Sequence, residues 1–143
     1  MEACVPETAE PLVGIVVASH SVKIAEGVVE LAGQMAGSEV RLIAAGGAID
    51  GSLGTDAGRI AEAIDQADAG AGVVVLADLG SAVMAAKLAL DMVSPETAAR
   101  TRLSGGPLVE GAVVAAVQAS IGDDVAAVVA AAEEAASMPK DVG

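Results

Sequence analysis

The chain has 143 residues, a net charge of −13 at pH 7 and no Phe, Tyr or Trp, although 54% of its residues are hydrophobic. This length is typical of one domain, and the core must consist of Val, Ile, Leu, Met and Ala. The negative charge and the absence of aromatic rings exclude nucleic acid as a binding partner, because the phosphate backbone would be repelled and no aromatic side chain is present on which bases could stack. An anionic membrane surface is excluded on the same electrostatic ground.

The first residues show no targeting signal. Residues 1–11 lack the basic start and apolar run of a signal peptide, and we expect them to form a flexible N-terminus. Apolar stretches elsewhere are interrupted after about ten residues, too short to span a bilayer, so we expect a cytoplasmic protein. Cys4 is the single cysteine and His20 the single histidine, which excludes an intrachain disulfide and argues against a zinc site. We expect no cofactor.

Strands and helices alternate from the start of the ordered part. An apolar, β-branched run at 12–18 predicts a strand that is buried on both faces. Residues 22–35 follow as a predicted amphipathic helix, and a second strand is predicted at 40–45. The apolar residues that recur at helical spacing in this helix are Ile24, Val28, Leu31 and Met35.

A glycine-rich loop leads from the second strand to a second helix. Thr55 or Asp56 caps this helix, which runs to residue 67 with Ile60 and Ile64 on its buried side.

The remaining chain continues the alternation. The predicted elements are a strand at 72–77, a helix at 82–92, a helical turn at 95–100, a weak strand at 102–104, helices at 108–119 and 125–136, and a tail at 138–143. Alternation at this spacing predicts right-handed crossovers between parallel strands. We therefore expect one α/β domain over 12–137, a flavodoxin-like three-layer sandwich with about four parallel strands and helices on both faces.

Small and polar residues follow the predicted strands. In a parallel sheet, chemistry gathers at the carboxyl ends of the strands. His20 stands there at a helix N-terminus, where a neutral imidazole that accepts a phosphoryl group fits better than a cation. Asp78 could accept a hydrogen bond from the other ring nitrogen and so orient the nucleophile. The residues predicted to line the phosphate-binding loops are Ser19, Ser21, Gly46, Gly47, Gly80 and Ser81.

Other readings of the same residues remain open at this point. His20 and Asp78 also fit a capping or surface pair, or a regulatory binding module without turnover. Ser19 or Ser21 would complete a hydrolase triad with them, but the chain has no GxSxG elbow. A receiver domain needs an acidic pair where Ser19 and His20 stand. The glycine-rich loop lacks the lysine of a P-loop.

Four segments carry a resemblance to a known family that spans residues 12–122. The chain resembles the EIIA domain of the mannose-type phosphotransferase system and, more narrowly, its dihydroxyacetone kinase branch, the DhaM subunits. The segments are 13–21, with the histidine; 45–47 together with 54–56; 77–82, with the aspartate; and 106–112, which reads Gly-Pro-Leu-Val-Glu-Gly-Ala.

The resemblance implies a phosphotransferase, a subunit of phosphoenolpyruvate–glycerone phosphotransferase. His20 falls at the position that accepts the phosphoryl group from HPr, and Asp78 at the carboxylate that orients it. The acceptor would be ADP on the DhaL subunit, while DhaK binds dihydroxyacetone. Family members are homodimers, and alanine-rich helices suit such an interface. The alternatives are a mannose-type sugar-transport EIIA and a non-catalytic flavodoxin-like binding module.

Many members of this family carry an HPr-like domain after the EIIA unit. Here the sequence ends at Gly143. HPr is therefore expected as a separate protein or as a further part of a longer chain.

Overall fold

The computed structural model describes residues 10–143. Most of the predicted flexible N-terminus, with Cys4, lies outside the described residues. Within them, no helix has the length and hydropathy required to cross a bilayer.

The described part of the chain folds into four strands and six α-helices, with one or two helices after each strand. The strands are β1 (Gly14–Ser19), β2 (Leu42–Gly46), β3 (Val73–Ala77) and β4 (Thr101–Ser104). The helices are α1 (Val22–Ala36), α2 (Ala57–Ala67), α3 (Gly80–Leu90), α4 (Pro95–Ala99), α5 (Leu108–Ser120) and α6 (Val125–Glu134), and a 3₁₀ turn (Ala135–Ser137) follows.

All four strands are parallel and lie in the order β2-β1-β3-β4. Helices α1, α5 and α6 cover one face of the sheet, and α2 and α3 cover the other. β1 lies at the centre with all six residues buried, as its unbroken apolar run predicts. The flavodoxin-like α/β sandwich expected from the sequence is confirmed.

The helices approach the sheet closely because the side chains between them are small. Ala61, Ala63 and Ala67 of α2 are buried, together with Ile60 and Ile64, as predicted for the two isoleucines. At Gly14 a Cβ atom would lie 2.1 Å from the carbonyl oxygen of Ala67, so only glycine fits there. The close approach of helix and sheet backbones thus allows a densely packed core without aromatic rings.

The core-facing side of α1 differs from the apolar periodicity in its sequence. Its buried residues are Ala25, Val28 and Ala32. Three of the four large apolar residues face outward, and Ile24, Leu31 and Met35 are 48%, 47% and 61% exposed. Only short side chains fit between α1 and the sheet, so the larger ones lie on the outer surface.

Several boundaries differ from the predicted ones near the sheet edge. β1 starts at Gly14 rather than at residue 12 and includes Ser19, while β2 starts two residues later than predicted. Helix α3 starts at Gly80 instead of residue 82, with no side-chain cap. Gly80 and Ser81 therefore form the first turn of a helix rather than the loop before it.

Candidate functional site

His20 and Asp78 meet at the carboxyl edge of the sheet. His20 follows β1 and precedes α1, and Asp78 follows β3 and precedes α3. Because β1 and β3 are neighbours in the sheet, two residues 58 positions apart come into contact. The histidine side chain is 27% exposed and the aspartate 15%, so the ring is supported on one side and accessible on the other.

The aspartate determines which nitrogen of the ring carries the proton. His20 Nδ1 lies 2.9 Å from Asp78 Oδ1. An ionised carboxylate can only accept hydrogen bonds, so Nδ1 carries the proton in the neutral ring. The lone pair is then on Nε2, on the other side of the imidazole.

The Asp78 carboxylate accepts four hydrogen bonds. Oδ1 accepts from His20 Nδ1 and from the backbone N–H of Leu79 at 2.8 Å. Oδ2 accepts from the backbone N–H of His20 at 3.0 Å and from Ser19 Oγ at 2.8 Å. Burial alone raises the pKa of Asp78, but the hydrogen bonds from His20, Ser19 and Leu79 outweigh it and hold this pKa below its usual value. The group is a carboxylate at neutral pH.

Ser81 lies on the open side of the ring. Its Oγ is in hydrogen-bond contact with His20 Nε2, and the hydroxyl donates because Nε2 holds the lone pair. The first hydrogen bonds within α3 are donated by the N–H groups of Ala82 and Val83 to Leu79 O. The N–H groups of Gly80 and Ser81 lie before these bonds, in the first turn of the helix. Helix α1 starts at the same edge, and two helix N-termini favour an anion here.

The order Ser81–His20–Asp78 is also that of a hydrolase triad, with Ser81 in the place for which the sequence suggests Ser19 or Ser21. In such enzymes the N–H after the nucleophile stabilises the oxyanion. Here the N–H of Ala82 donates to Leu79 O at 3.0 Å. The arrangement therefore supports a nucleophilic imidazole better than a nucleophilic serine.

The other predicted phosphate-binding serines make hydrogen bonds within the protein. Ser21 Oγ caps α1 by accepting from the N–H of Ile24 at 3.2 Å. Ser19 is 1% exposed, and its Oγ donates to Asp78 and accepts from the N–H of Ser21 at 3.1 Å. Of the predicted loop serines, the structure brings Ser81 to the ring.

Gly46 and Gly47 pack against the backbone beside the histidine. A Cβ at Gly46 would lie 2.4 Å from Ser21 O, and one at Gly47 would lie 2.7 Å from Val22 Cγ2. The N–H of Gly47, whose φ is +81°, donates to Ser19 O at 3.0 Å. Both glycines thus allow the loop after β2 to hold the segment that carries His20.

The sequence predicts the ring and the carboxylate at one edge of the sheet, but it does not predict the hydrogen bonds that hold the second carboxylate oxygen. Neither the Ser19–Asp78 bond nor the backbone N–H bonds from His20 and Leu79 leave a residue pattern that can be read from the chain. The start of α3 at Gly80, which brings Ser81 to Nε2, was also missed. The only signal for it is the short polar stretch between β3 and the following apolar helix.

Known proteins resemble this chain in sequence over most of its length. The family model described as the PTS system fructose IIA component, EIIA-man, matches residues 14–129. The phosphoryl donor subunit DhaM of the PEP-dependent dihydroxyacetone kinase of Escherichia coli K12 is 43% identical over 117 residues, which are 80% of this chain and 25% of that protein. DhaM of dihydroxyacetone kinase 2 of Listeria innocua is 40% identical over 110 residues, 77% of this chain and 88% of that protein.

Solved structures share the fold. The crystal structure of the unknown function protein EF1359 has a TM-score of 0.77 and 38% identity, and the match covers 86% of this chain and 94% of that one. A sigma-54 interaction domain protein from Enterococcus faecalis, with a TM-score of 0.63 and 18% identity over 84% of this chain and 87% of that one, shares the fold alone.

The matched length differs among the relatives. The chain spans a quarter of the E. coli subunit but most of the Listeria one. The family model and the Listeria relative each match most of this chain, and the range matched by the family model includes His20 and Asp78. The chain belongs to the EIIA-man family of phosphotransferase-system components, within its group of DhaM phosphoryl donor subunits of dihydroxyacetone kinases.

Proposed function

We propose that this chain is a phosphohistidine carrier that takes a phosphoryl group from HPr on His20 Nε2 and passes it to ADP bound on DhaL. The acceptor complex then phosphorylates dihydroxyacetone held by DhaK. The observation that carries the proposal is the 2.9 Å contact between His20 Nδ1 and Asp78 Oδ1, which leaves Nε2 unprotonated and nucleophilic. Relatives named as phosphoryl donor subunits support the same activity.

Each transfer is a displacement at phosphorus. The Nε2 lone pair attacks the phosphorus of the donor phosphohistidine, a new P–N bond forms, and the old P–N bond breaks with its electron pair left on the donor nitrogen. Asp78 stabilises the positive charge that develops on the His20 ring. In the second step a terminal oxygen of ADP attacks the phosphorus, the bond to Nε2 breaks, and its electron pair returns to the ring.

The Ser81 hydroxyl exchanges one acceptor for another during this cycle. In the free protein it donates to the Nε2 lone pair. Once Nε2 is bonded to phosphorus that lone pair is gone, and the hydroxyl donates to a phosphoryl oxygen instead. The N–H groups of Gly80 and Ser81 in the first turn of α3 supply further donors to the same oxygens.

The exposure of the site suits a protein as phosphoryl donor. His20 stands on the sheet edge with about a quarter of its side chain accessible. A cleft of about 440 Å³ beside β2 is lined by Asp56, Arg59 and Glu62 rather than by the histidine. A small-molecule enzyme normally encloses its reacting atoms, whereas a carrier must present them to two macromolecules in turn.

We also propose that the chain forms a homodimer. The outer side of α1 exposes Ile24, Leu31 and Met35, and Val109 of the neighbouring α5 is 42% exposed. A contiguous apolar surface of this kind is typical of a protein–protein interface. A second copy with the same surface would cover it through a two-fold axis.

Intact-mass spectrometry at neutral to alkaline pH tests the carrier function. After incubation with phosphoenolpyruvate, enzyme I and HPr, we expect a single added phosphoryl group that is lost in acid and absent in His20→Ala. Transfer from the phosphorylated chain to ADP on DhaL is then followed as ATP formation. An unchanged mass in the presence of HPr that is itself phosphorylated would refute the proposal.

A further inference from the structure

Ser19 is the most deeply buried polar side chain at the sheet edge, and its hydroxyl is hydrogen-bonded to Asp78 and Ser21. It is 1% exposed, and its Oγ lies 2.8 Å from Asp78 Oδ2 and 3.1 Å from the N–H of Ser21. Its carbonyl oxygen accepts from the N–H of Gly47. The residue therefore joins the ends of β1, β2 and β3, and its buried hydroxyl is already engaged in hydrogen bonds within the protein.

The second oxygen of Asp78 depends on this serine. Oδ2 accepts two hydrogen bonds, one from Ser19 Oγ and one from the backbone of His20. The plane of the carboxylate is set by the donors on both oxygens, so the direction of Oδ1 towards Nδ1 follows from how Oδ2 is held. Without the Ser19 hydroxyl, Oδ2 would keep one donor, and the carboxylate could turn about its Cβ–Cγ bond.

We propose that Ser19 is a positioning residue that acts through Asp78: its hydroxyl holds the carboxylate in the orientation that keeps the proton of His20 on Nδ1. The inference deepens the proposed carrier function and rests on it for its biological meaning. It replaces the phosphate-binding role that the sequence alone suggests for Ser19. In other proteins, residues that hydrogen-bond to the partner of a histidine commonly fix the tautomer and the orientation of its ring.

The tautomer of His20 gives a direct readout that needs no partner protein. Long-range ¹H–¹⁵N NMR at a pH of about 8.5, where an ordinary imidazole is neutral, reports which ring nitrogen carries the proton. In Ser19→Ala we expect a smaller fraction of the Nδ1–H tautomer than in the unmodified chain. The ¹³C signal of the Asp78 carboxyl should titrate at higher pH, because one of the bonds that lowers its pKa is lost.

Three further variants separate positioning from folding. Ser19→Cys keeps the volume but supplies only a weak donor, and it should reproduce the change if Ser19→Ala does not fold. Ser19→Thr retains the hydroxyl and should restore the tautomer. Ser94→Ala removes a serine that caps α4 through Thr97 and should leave both NMR signals unchanged.

Phosphorylation by HPr is measured on the same variants. The rate for Ser19→Ala should fall about tenfold, the scale of one hydrogen bond to a charged group. If the tautomer and the Asp78 titration are the same in Ser19→Ala and Ser19→Cys as in the unmodified chain, the inference is wrong. If both NMR signals move but the unmodified chain accepts no phosphoryl group, the positioning role stands and the carrier function fails.

Discussion

His20 uses its two ring nitrogens for different purposes, and Asp78 is the reason. The carboxylate accepts from Nδ1, while Nε2 is in contact with the hydroxyl of Ser81, which is small and can change its acceptor. A histidine at a helix N-terminus without such a carboxylate would divide its proton between the two nitrogens. The nitrogen that keeps its lone pair is therefore determined by a residue that follows another strand.

Replacement of the carboxylate by an amide tests this division. In Asp78→Asn the amide can donate to Nδ1, which favours the tautomer with the proton on Nε2, and the charge that stabilises the phosphorylated ring is lost. We expect the rate of phosphorylation by HPr to fall about 100-fold or more. Asp65→Asn makes the same change at an exposed position of α2 and should react normally. Equal rates for the two variants would contradict the role of Asp78.

Close contact between elements depends on glycine at the edge of the sheet. Gly46 ends β2, and a side chain there would meet the backbone of Ser21 at 2.4 Å. In the middle of α1, by contrast, Gly27 has open space around the position of a Cβ. The first glycine is required by packing, whereas the second only weakens a helix.

The two glycines should therefore respond oppositely to alanine. Gly46→Ala forces β2 away from the His20 segment, and we expect a loss of about 1–3 kcal/mol in the free energy of unfolding. Gly27→Ala should raise the stability by about 0.5–1 kcal/mol through helix propensity. Urea denaturation measures both. A Gly46→Ala variant as stable as the unmodified chain would show that the loop after β2 moves freely.

Asp68 ties the end of α2 to the segment before β4. It accepts from Arg100 Nη2 at 2.7 Å and from Thr97 Oγ1 at 3.0 Å, and its own side chain is 6% exposed. The hydrogen bond from Arg100 lowers the pKa of Asp68 most, with smaller contributions from Gly70 and Thr97, and burial opposes them.

The sign of the pH dependence follows from this lowered pKa. Because the folded pKa of Asp68 lies below 3.8, the ordinary value for an aspartate, its contribution is complete above that pH and is lost as the pH falls through the folded value. We expect Asp68→Asn to cost about 1 kcal/mol near neutral pH, and the difference from the unmodified chain to shrink below a pH of about 4. Glu62→Gln, at an exposed position of α2, should show no such difference in denaturation experiments.

The molecule as a whole has a closely packed aliphatic interior rich in alanine, and it also carries large apolar side chains on its surface. Leu31 and Met35 on α1 are about half exposed, and the homodimer proposed here would bury them. The net charge of −13 opposes association, so the apolar contact must outweigh repulsion that salt would screen.

Charge on the outer side of α1 should break the dimer. Leu31→Glu and Met35→Glu leave the core untouched, and we expect sedimentation velocity to show monomers for the double variant and dimers for the unmodified chain. Ile121→Glu, at a residue that is 69% exposed after the end of α5, is the matched control and should remain dimeric. A monomeric unmodified chain would contradict the dimer itself.

The fold class, the order of the elements and the edge at which His20 and Asp78 stand can be read from the amino-acid sequence alone. Unbroken β-branched runs such as that of β1 and the regular spacing of helices are local features, and they predict a parallel sheet without knowledge of its contacts. Even the short β4 was predicted, with its start at Thr101 missed by one residue.

The packing of the folded chain, by contrast, establishes which side of α1 faces the core, where α3 begins and how Asp78 is held. The apolar period of α1 was visible, but the distance between helix and sheet selected Ala25 and Ala32 for the interior in place of Leu31 and Met35. The bond between Ser19 and Asp78 joins residues 59 positions apart. Such contacts arise when neighbouring strands end side by side, and no local pattern along the chain encodes the distance between them.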